Sequence, residues 1–245
     1  MRENRTLVRL YVNAPLSETV EKVLPRNQAH YLGNVLRKTV GDQLRVFNGQ
    51  DGEWSAEIVT ITRKSCQLSI CKQLRKPYAA PDIWLLFAPV RKPRTAFIFE
   101  KSTELGVSRL QPVITERTQF PKFHPDKMGV QIIGAAEQTE RLDLPEVNDT
   151  ISLAQLLYNW DGSRQIIFAD EGGDCAPALD VLQNLGKPAA LLIGPEGGFT
   201  DREREFLRAK DYVTAVSLGP RVLRADTAAA SLLALWQAVR GDWGG

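Results

Sequence analysis

Two hydrophobic rhythms divide this chain. Up to about residue 76 the apolar residues come in short runs of alternating character: Leu7–Val12, Gln43–Phe47, Glu53–Ile61 and Cys66–Cys71. Alternation of that kind, broken by the turn pairs Asn48-Gly49 and Asp51-Gly52, predicts strands joined by tight turns. One stretch departs from it: Tyr31, Leu32, Val35 and Leu36 fall at helical spacing and predict a helix over Asn27–Arg37. Several short strands with one helix predict a small β-barrel over 1–76. Leu74–Asp82, with Pro77 and Pro81, reads as a linker.

From residue 82 to 245 the pattern alternates strand and helix. Ile83–Phe87, Leu110–Ile114, Gln165–Ala169, Ala189–Ile193 and Thr214–Leu218 are unbroken apolar runs suited to parallel strands buried on both faces. Helices are predicted over Thr95–Leu105, Pro125–Arg141, Ser152–Trp160, Pro177–Leu185, Thr200–Lys210 and Asp226–Arg240. Thr200 and Glu203 have capping-box spacing. The fold class is α/β, a sheet covered by helices.

Charge sharpens the division. The net charge is +2, but residues 1–80 hold thirteen Lys and Arg against seven Asp and Glu, a balance of +6, and the remainder stands at −4. A basic domain beside a mildly acidic one points to a polyanionic partner for the first. Arg9, Arg37, Lys38, Arg45, Arg63 and Lys64, interleaved with Tyr11, Tyr31 and Trp54, suit phosphate neutralisation and base stacking, although a solvated face has the same composition. Three cysteines without a C-x-x-C pair suggest reduced thiols in a cytosolic protein. Two histidines leave little for a His-built metal site, and no metal is expected. No apolar run is long enough to span a bilayer, and Arg2, Arg5 and Arg9 interrupt any signal-peptide core.

Two segments share one grammar. Ala190–Ile193 leads into Gly194-Pro195-Glu196-Gly197-Gly198-Phe199 and a capped helix; Ala215–Leu218 leads into Gly219-Pro220-Arg221-Val222-Leu223-Arg224 and an Ala-rich helix. Loops delivered at the carboxyl ends of parallel strands are where open α/β sheets bind ligands. Two ordinary tight turns would use the same residues. The dinucleotide, P-loop and serine-hydrolase fingerprints are missing from both. A further cluster, Phe97–Val107, places Lys101 and Glu104 on one helix face, either as chemistry or as an i,i+3 ion pair. Glu137 and Arg141, four apart, allow the same two readings.

In order, Phe99–Val107, Glu137-Gln138-x-x-Arg141-x-x-x-Pro145, Leu192–Phe199 and Leu218–Arg224 resemble the RsmE family of 16S ribosomal RNA uridine-N3 methyltransferases, within the SPOUT superfamily. The first domain joins the resemblance through His30, Val35-Leu36-Arg37, Gly41-Asp42 and Asn48-Gly49. The resemblance implies an N-terminal PUA-like RNA-binding barrel and a C-terminal SPOUT domain with a deep trefoil knot, its knot and cofactor site at about 165–240. It implies a homodimer that transfers methyl from S-adenosylmethionine to a uridine of 16S rRNA, in helix 44 of the small subunit. The cofactor-binding residues would be Ile193, Gly194, Glu196, Gly197, Gly198, Leu218, Gly219, Leu223 and Arg224. Arg9, Lys101, Glu104 and Arg141 are the catalytic candidates, and Arg9, His30, Arg37, Lys38, Arg91 and Lys92 the RNA-binding ones. Asp226 stands where the family usually has Glu, and the stretch from Thr115 to Pro125 looks shorter than in relatives. The other reading is a non-catalytic RNA-binding or ribosome-assembly factor on the same fold.

Overall fold

The structure, a computed structural model, describes residues 6–78, 80–172, 175–186 and 188–244; Arg2 and Arg5 lie outside them. The chain divides into two units: Met1–Ala79 with Ala136–Leu144, and Ala80–Ala135 with Pro145–Gly245. The break falls in the proline-bearing linker, but the second stretch is not continuous as expected from 82 onward. Ala136–Leu144 belongs to the first unit.

In that first unit β1 (Arg9–Tyr11), β2 (Glu21–Leu24), β3 (Gln43–Asn48), β4 (Gly52–Ile61) and β5 (Cys66–Arg75) form one sheet. Their order is β1-β3-β4-β5-β2, with β1 parallel to β3 and the other pairs antiparallel. It is a curled half-barrel of PUA type, with β1 and β2 as its two edges. The strand β2 escapes the sequence pattern because Leu24 is its only fully buried residue. Alternate residues of the strands, among them Leu10, Leu44, Val46, Ile58, Leu68 and Ile70, close over Leu32. Leu32 lies in the predicted helix, which is a short α-helix, α1 (Arg26–His30), running into a π-helical turn over Tyr31–Val35. The β3–β4 turn is tied by Asn48, whose Oδ1 accepts the N–H groups of Gln50 and Asp51. Gly52 follows at φ +81°, where a Cβ would run into the Arg75 carbonyl.

The second unit carries β6 (Ile83–Phe87), α2 (Lys92–Glu104), β7 (Arg109–Ile114), α3 (Gly129–Gln138, its last residues counted with the first unit), β8 (Glu146–Val147), β9 (Ile151–Ser152) and α4 (Leu153–Tyr158). There follow β10 (Gln165–Ala169), β11 (Ala176–Pro177), α5 (Ala178–Gln183), β12 (Ala189–Ile193), α6 (Asp201–Arg208), β13 (Val213–Ser217) and α7 (Ala225–Val239). The sheet order is β11-β13-β10-β12-β6-β7-β8, all pairs parallel, with β9 also beside β7. β12 has all five residues buried, as a strand covered on both faces requires.

Helix boundaries differ from expectation for local reasons. α2 begins three residues early because Pro93 suits a first turn and Thr95 accepts the Val90 N–H through Oγ1. The helix expected over Pro125–Arg141 is a 3-10 turn, Pro125–Met128, followed by α3, which stops before Glu140 turns left-handed at φ +61°. α7 packs on α2, α5 and β12, burying Ala228, Ala229, Leu232, Leu233 and Trp236 within its own chain.

Candidate cofactor site

The carboxyl ends of β10, β12 and β13 are adjacent in the sheet, and three loops leave from them. Together they enclose a cleft lined by Ile193, Gly194, Glu196 and Gly198 from the first Gly-Pro loop, Leu218, Gly219, Arg221 and Leu223 from the second, and Asp170 and Glu171 after β10. Ala225 and Ala228 of α7 complete it. Its lining combines apolar side chains with the carboxylates of Asp170, Glu171 and Glu196.

The first loop is shaped by its own sequence. Gly198 closes a turn by donating its N–H to the Pro195 carbonyl at 2.9 Å and sits at φ +65°. A Cβ on Gly194 would lie 2.9 Å from the Phe199 ring, which itself meets Phe168 edge-on at 5.7 Å. Thr200 then caps α6: its side chain accepts the Glu203 N–H, and Glu203 accepts the Thr200 N–H in return. In the second loop Gly219 adopts φ +103°, with nothing within 4 Å of where a Cβ would stand. That opening lets a ligand approach the backbone.

Around the cleft is a charged frame. Asp170, fully buried at its side chain, lies 3.0 Å from Arg204 Nε and 2.9 Å from Arg208 Nη2, and Asp170 holds the Arg208 guanidinium above its ordinary pKa. Arg94 of α2 pairs with Glu196 at 3.2 Å. Arg117 donates through Nη1 to the carbonyls of Gly197 at 2.7 Å and Phe199 at 3.3 Å. Sequence reasoning missed Asp170, Glu171, Arg94, Arg117 and Arg204. The first two were within reach: they follow directly on the predicted strand Gln165–Ala169, but without a Gly-Pro turn to mark the loop.

Of the nine residues expected at the cofactor, seven line the cleft: Ile193, Gly194, Glu196, Gly198, Leu218, Gly219 and Leu223. Gly197 lies under Arg117 instead, and Arg224 is an exposed N-cap residue whose carbonyl accepts the Ala228 N–H at 2.8 Å. The shorter Asp226 carboxylate accepts the N–H of Thr227 at the start of α7.

Lys101 and Glu104 of the expected catalytic set lie on α2, in the same unit as the cleft. Lys101 is clasped by Glu104 at 2.7 Å and Glu100 at 2.9 Å, and the two carboxylates, Glu100 first, raise its pKa. Neither Lys101 nor Glu104 lines the cleft; the helix-face ion pair is the arrangement observed.

Arg9 and Arg141 are both buried within the first unit. Arg9 donates to Glu53 at 2.6 Å and to the carbonyls of Ala136, Glu137 and Arg141 at 2.6, 3.0 and 3.0 Å. Its ring partner is Phe47, 4.1 Å away. This guanidinium binds the end of α3 to the sheet, and burial lowers its pKa despite Glu53. With its donors so engaged it is not presented to a phosphate. Arg141 forms a two-pronged pair with Asp143, at 2.9 and 3.2 Å. Glu137 accepts the Tyr11 N–H at 3.0 Å.

Among the RNA candidates, His30 at the end of α1 and Arg37 beyond it are exposed and Lys38 is half-buried; Tyr31, Val35 and Val40 of the segment that follows α1 are exposed too. Arg91 and Lys92 are exposed where α2 begins. Arg45 is buried beside Glu53 and is not a contact surface, while Trp54 is half-buried with its Nε1–H donated to the Asp51 carbonyl. Among the described residues no cluster of His, Cys, Asp and Glu suits a metal ion, and no helix is long and apolar enough to cross a membrane.

Comparison with known proteins is decisive for the family. An RNA methyltransferase domain model matches residues 78–237, and an RNA methyltransferase PUA domain model matches 24–71. Ribosomal RNA small subunit methyltransferase E of Rickettsia conorii is 31% identical over 92% of this chain and 93% of its own. The chain belongs to the ribosomal RNA small subunit methyltransferase E family. The Bacillus subtilis relative of the same name is 29% identical over 82% of this chain and 83% of its own. A solved family member from Neisseria gonorrhoeae, bound to S-adenosyl methionine, superposes with a TM-score of 0.85 at 27% identity, covering 97% of this chain and 99% of that one. A Legionella pneumophila structure in complex with bound SAM also gives 0.85, at 32% identity over 95% and 97%.

Proposed function

We propose that this chain is an S-adenosylmethionine-dependent methyltransferase that modifies N3 of a uridine in 16S rRNA of the small subunit, at helix 44 in the decoding region. The observation that carries the reading is the cleft formed by the Gly194–Phe199 and Gly219–Leu223 loops in a chain of this family. Its residues fit the cofactor. Ile193, Leu218, Leu223 and Ala228 supply apolar surface for a flat base, and Glu171 and Glu196 offer acceptors for ribose hydroxyls. When bound, S-adenosylmethionine supplies a methyl group on positively charged sulfur.

The chain's own work is to bind, orient and neutralise. A uridine N3 exposes a lone pair for attack only after losing its proton, and the resulting charge spreads to O2 and O4. Arg221, exposed at the cleft, supplies positive charge there. Watson–Crick pairing hides N3, so the target base must be unpaired or flipped out. In the first unit the exposed His30 and Arg37, with half-buried Lys38, serve as RNA contacts, and in the second unit the exposed Arg91 and Lys92 do the same. The protein works in the cytoplasm as a homodimer, and its C-terminal segment forms a trefoil knot.

The test is methylation of small subunits that lack the modification, using isotope-labelled cofactor. The modified position is mapped by reverse transcription, which an N3 methyl group blocks. Incorporation at a single uridine is expected. Cofactor binding without transfer to any small-subunit RNA would overturn the enzymatic reading in favour of a binding factor.

A further inference from the structure

The turn that follows β7 has no place in the proposed mechanism, yet it reaches the cofactor loop at two points. Thr115 and Thr118 close this turn through their hydroxyls, 2.9 Å apart, and Thr118 Oγ1 also accepts the Thr115 N–H. Between them, Glu116 donates its backbone N–H to Glu203 Oε1 at 2.8 Å, the same carboxylate that completes the α6 capping box. Arg117 extends over Gly197, where a Cβ would lie 3.5 Å from the arginine's Cβ and Cδ. From there its Nη1 alone donates to both the Gly197 and Phe199 carbonyls.

Those carbonyls flank Gly198, a left-handed residue of the cleft wall. A glycine-rich loop has wide backbone freedom, and a cationic donor shared by two of its carbonyls removes much of it before any ligand arrives. Arg94 also pairs with Glu196 of the same loop.

We infer that Arg117 is a positioning residue for cofactor binding, one that holds the Gly197–Phe199 backbone in its binding shape without touching the ligand. This rests on the reading of the cleft as the S-adenosylmethionine site. Because both hydrogen bonds leave from one nitrogen, a single ammonium group can replace them. A role in gripping RNA phosphate through the guanidinium fork would set a different demand, since a lysine cannot reproduce the fork.

The test is calorimetric titration of S-adenosylmethionine into the full-length wild type, Arg117→Ala and Arg117→Lys, alongside KM for cofactor and for small-subunit RNA. Arg117→Ala is expected to weaken cofactor binding about three- to ten-fold, with KM for RNA unchanged, and Arg117→Lys to recover most of the loss. Arg117 is exposed, so both variants are expected to keep the wild-type melting temperature. Equal cofactor affinity in wild type and Arg117→Ala would overturn the inference. So would a rise confined to the KM for RNA, or an Arg117→Lys variant no better than Arg117→Ala. A wild-type chain that binds no S-adenosylmethionine removes the underlying reading of the cleft, and the inference falls with it; that failure shows in the first titration, before any variant is compared.

Discussion

Single residues carry two distinct duties here, shaping the cleft and holding the first unit together. Gly194 has the first. An alanine there must displace the Phe199 ring from its place against Phe168, so Gly194→Ala is expected to cost about 1–3 kcal/mol by overpacking and to abolish cofactor binding. Unchanged S-adenosylmethionine titration would count against the loop assignment. Glu53 has the second duty. It is 1% exposed, with Arg9, Arg45 and Arg75 at 2.6, 3.5 and 3.8 Å. Glu53→Gln leaves buried guanidinium groups uncompensated, and a loss of about 3–5 kcal/mol in urea unfolding is expected. Glu137 makes a pH prediction. Burial raises its pKa, against the Tyr11 N–H and Arg9, so the folded protein binds this proton more tightly than the unfolded chain. Stability therefore falls as pH rises from the ordinary glutamate range through the raised value. Glu137→Gln keeps an acceptor for Tyr11 and is expected to flatten that slope in urea unfolding followed between pH 4 and 7; an unaltered slope would refute it.

Among the elements, α6 was the most readable in sequence, because its capping box is a local device: Thr200 and Glu203 satisfy each other's backbone whatever surrounds them. Thr200→Ala is expected to cost about 1 kcal/mol. Glu203→Ala should cost more, since the Glu116 N–H loses its partner as well, and a double mutant with Arg117→Ala read by thermal melting will show whether the two contacts couple. The strands β6, β10 and β12 were readable because burial on both faces leaves an uninterrupted apolar run. β2 was not, because an edge strand buries little. The helix expected through Arg141 ended early because Arg9, more than a hundred residues away in sequence, binds the carbonyls at its end.

For the whole molecule, the net charge of +2 conceals a basic first domain, but part of that charge faces inward. Arg9 and Arg45 are buried around Glu53. The outward charge rests on residues such as Arg26, Arg37, Arg63 and Lys64. If the first domain holds RNA by neutralising phosphates, each lost contact should lower the slope of log affinity against log salt by about 1. Arg37→Ala is expected to lower it so, whereas a slope unmoved by Arg37→Ala and Lys38→Ala together would place the contacts elsewhere.

The sequence alone determined the two-part plan, the α/β class, the Gly-Pro loops and, through motifs in fixed order, the family. These are legible because periodicity, turn chemistry and capping act over a few residues. Tertiary structure decided what no local pattern encodes: that β10, β12 and β13 lie side by side, so that Asp170 and Glu171 join the two glycine loops in one cleft. It also decided that Ala136–Leu144 belongs with the first sheet, and that Arg9 faces inward to a carboxylate and three carbonyls. An arginine reads the same in sequence whether it meets solvent or buried acceptors; only the partners that the fold brings to it distinguish the two.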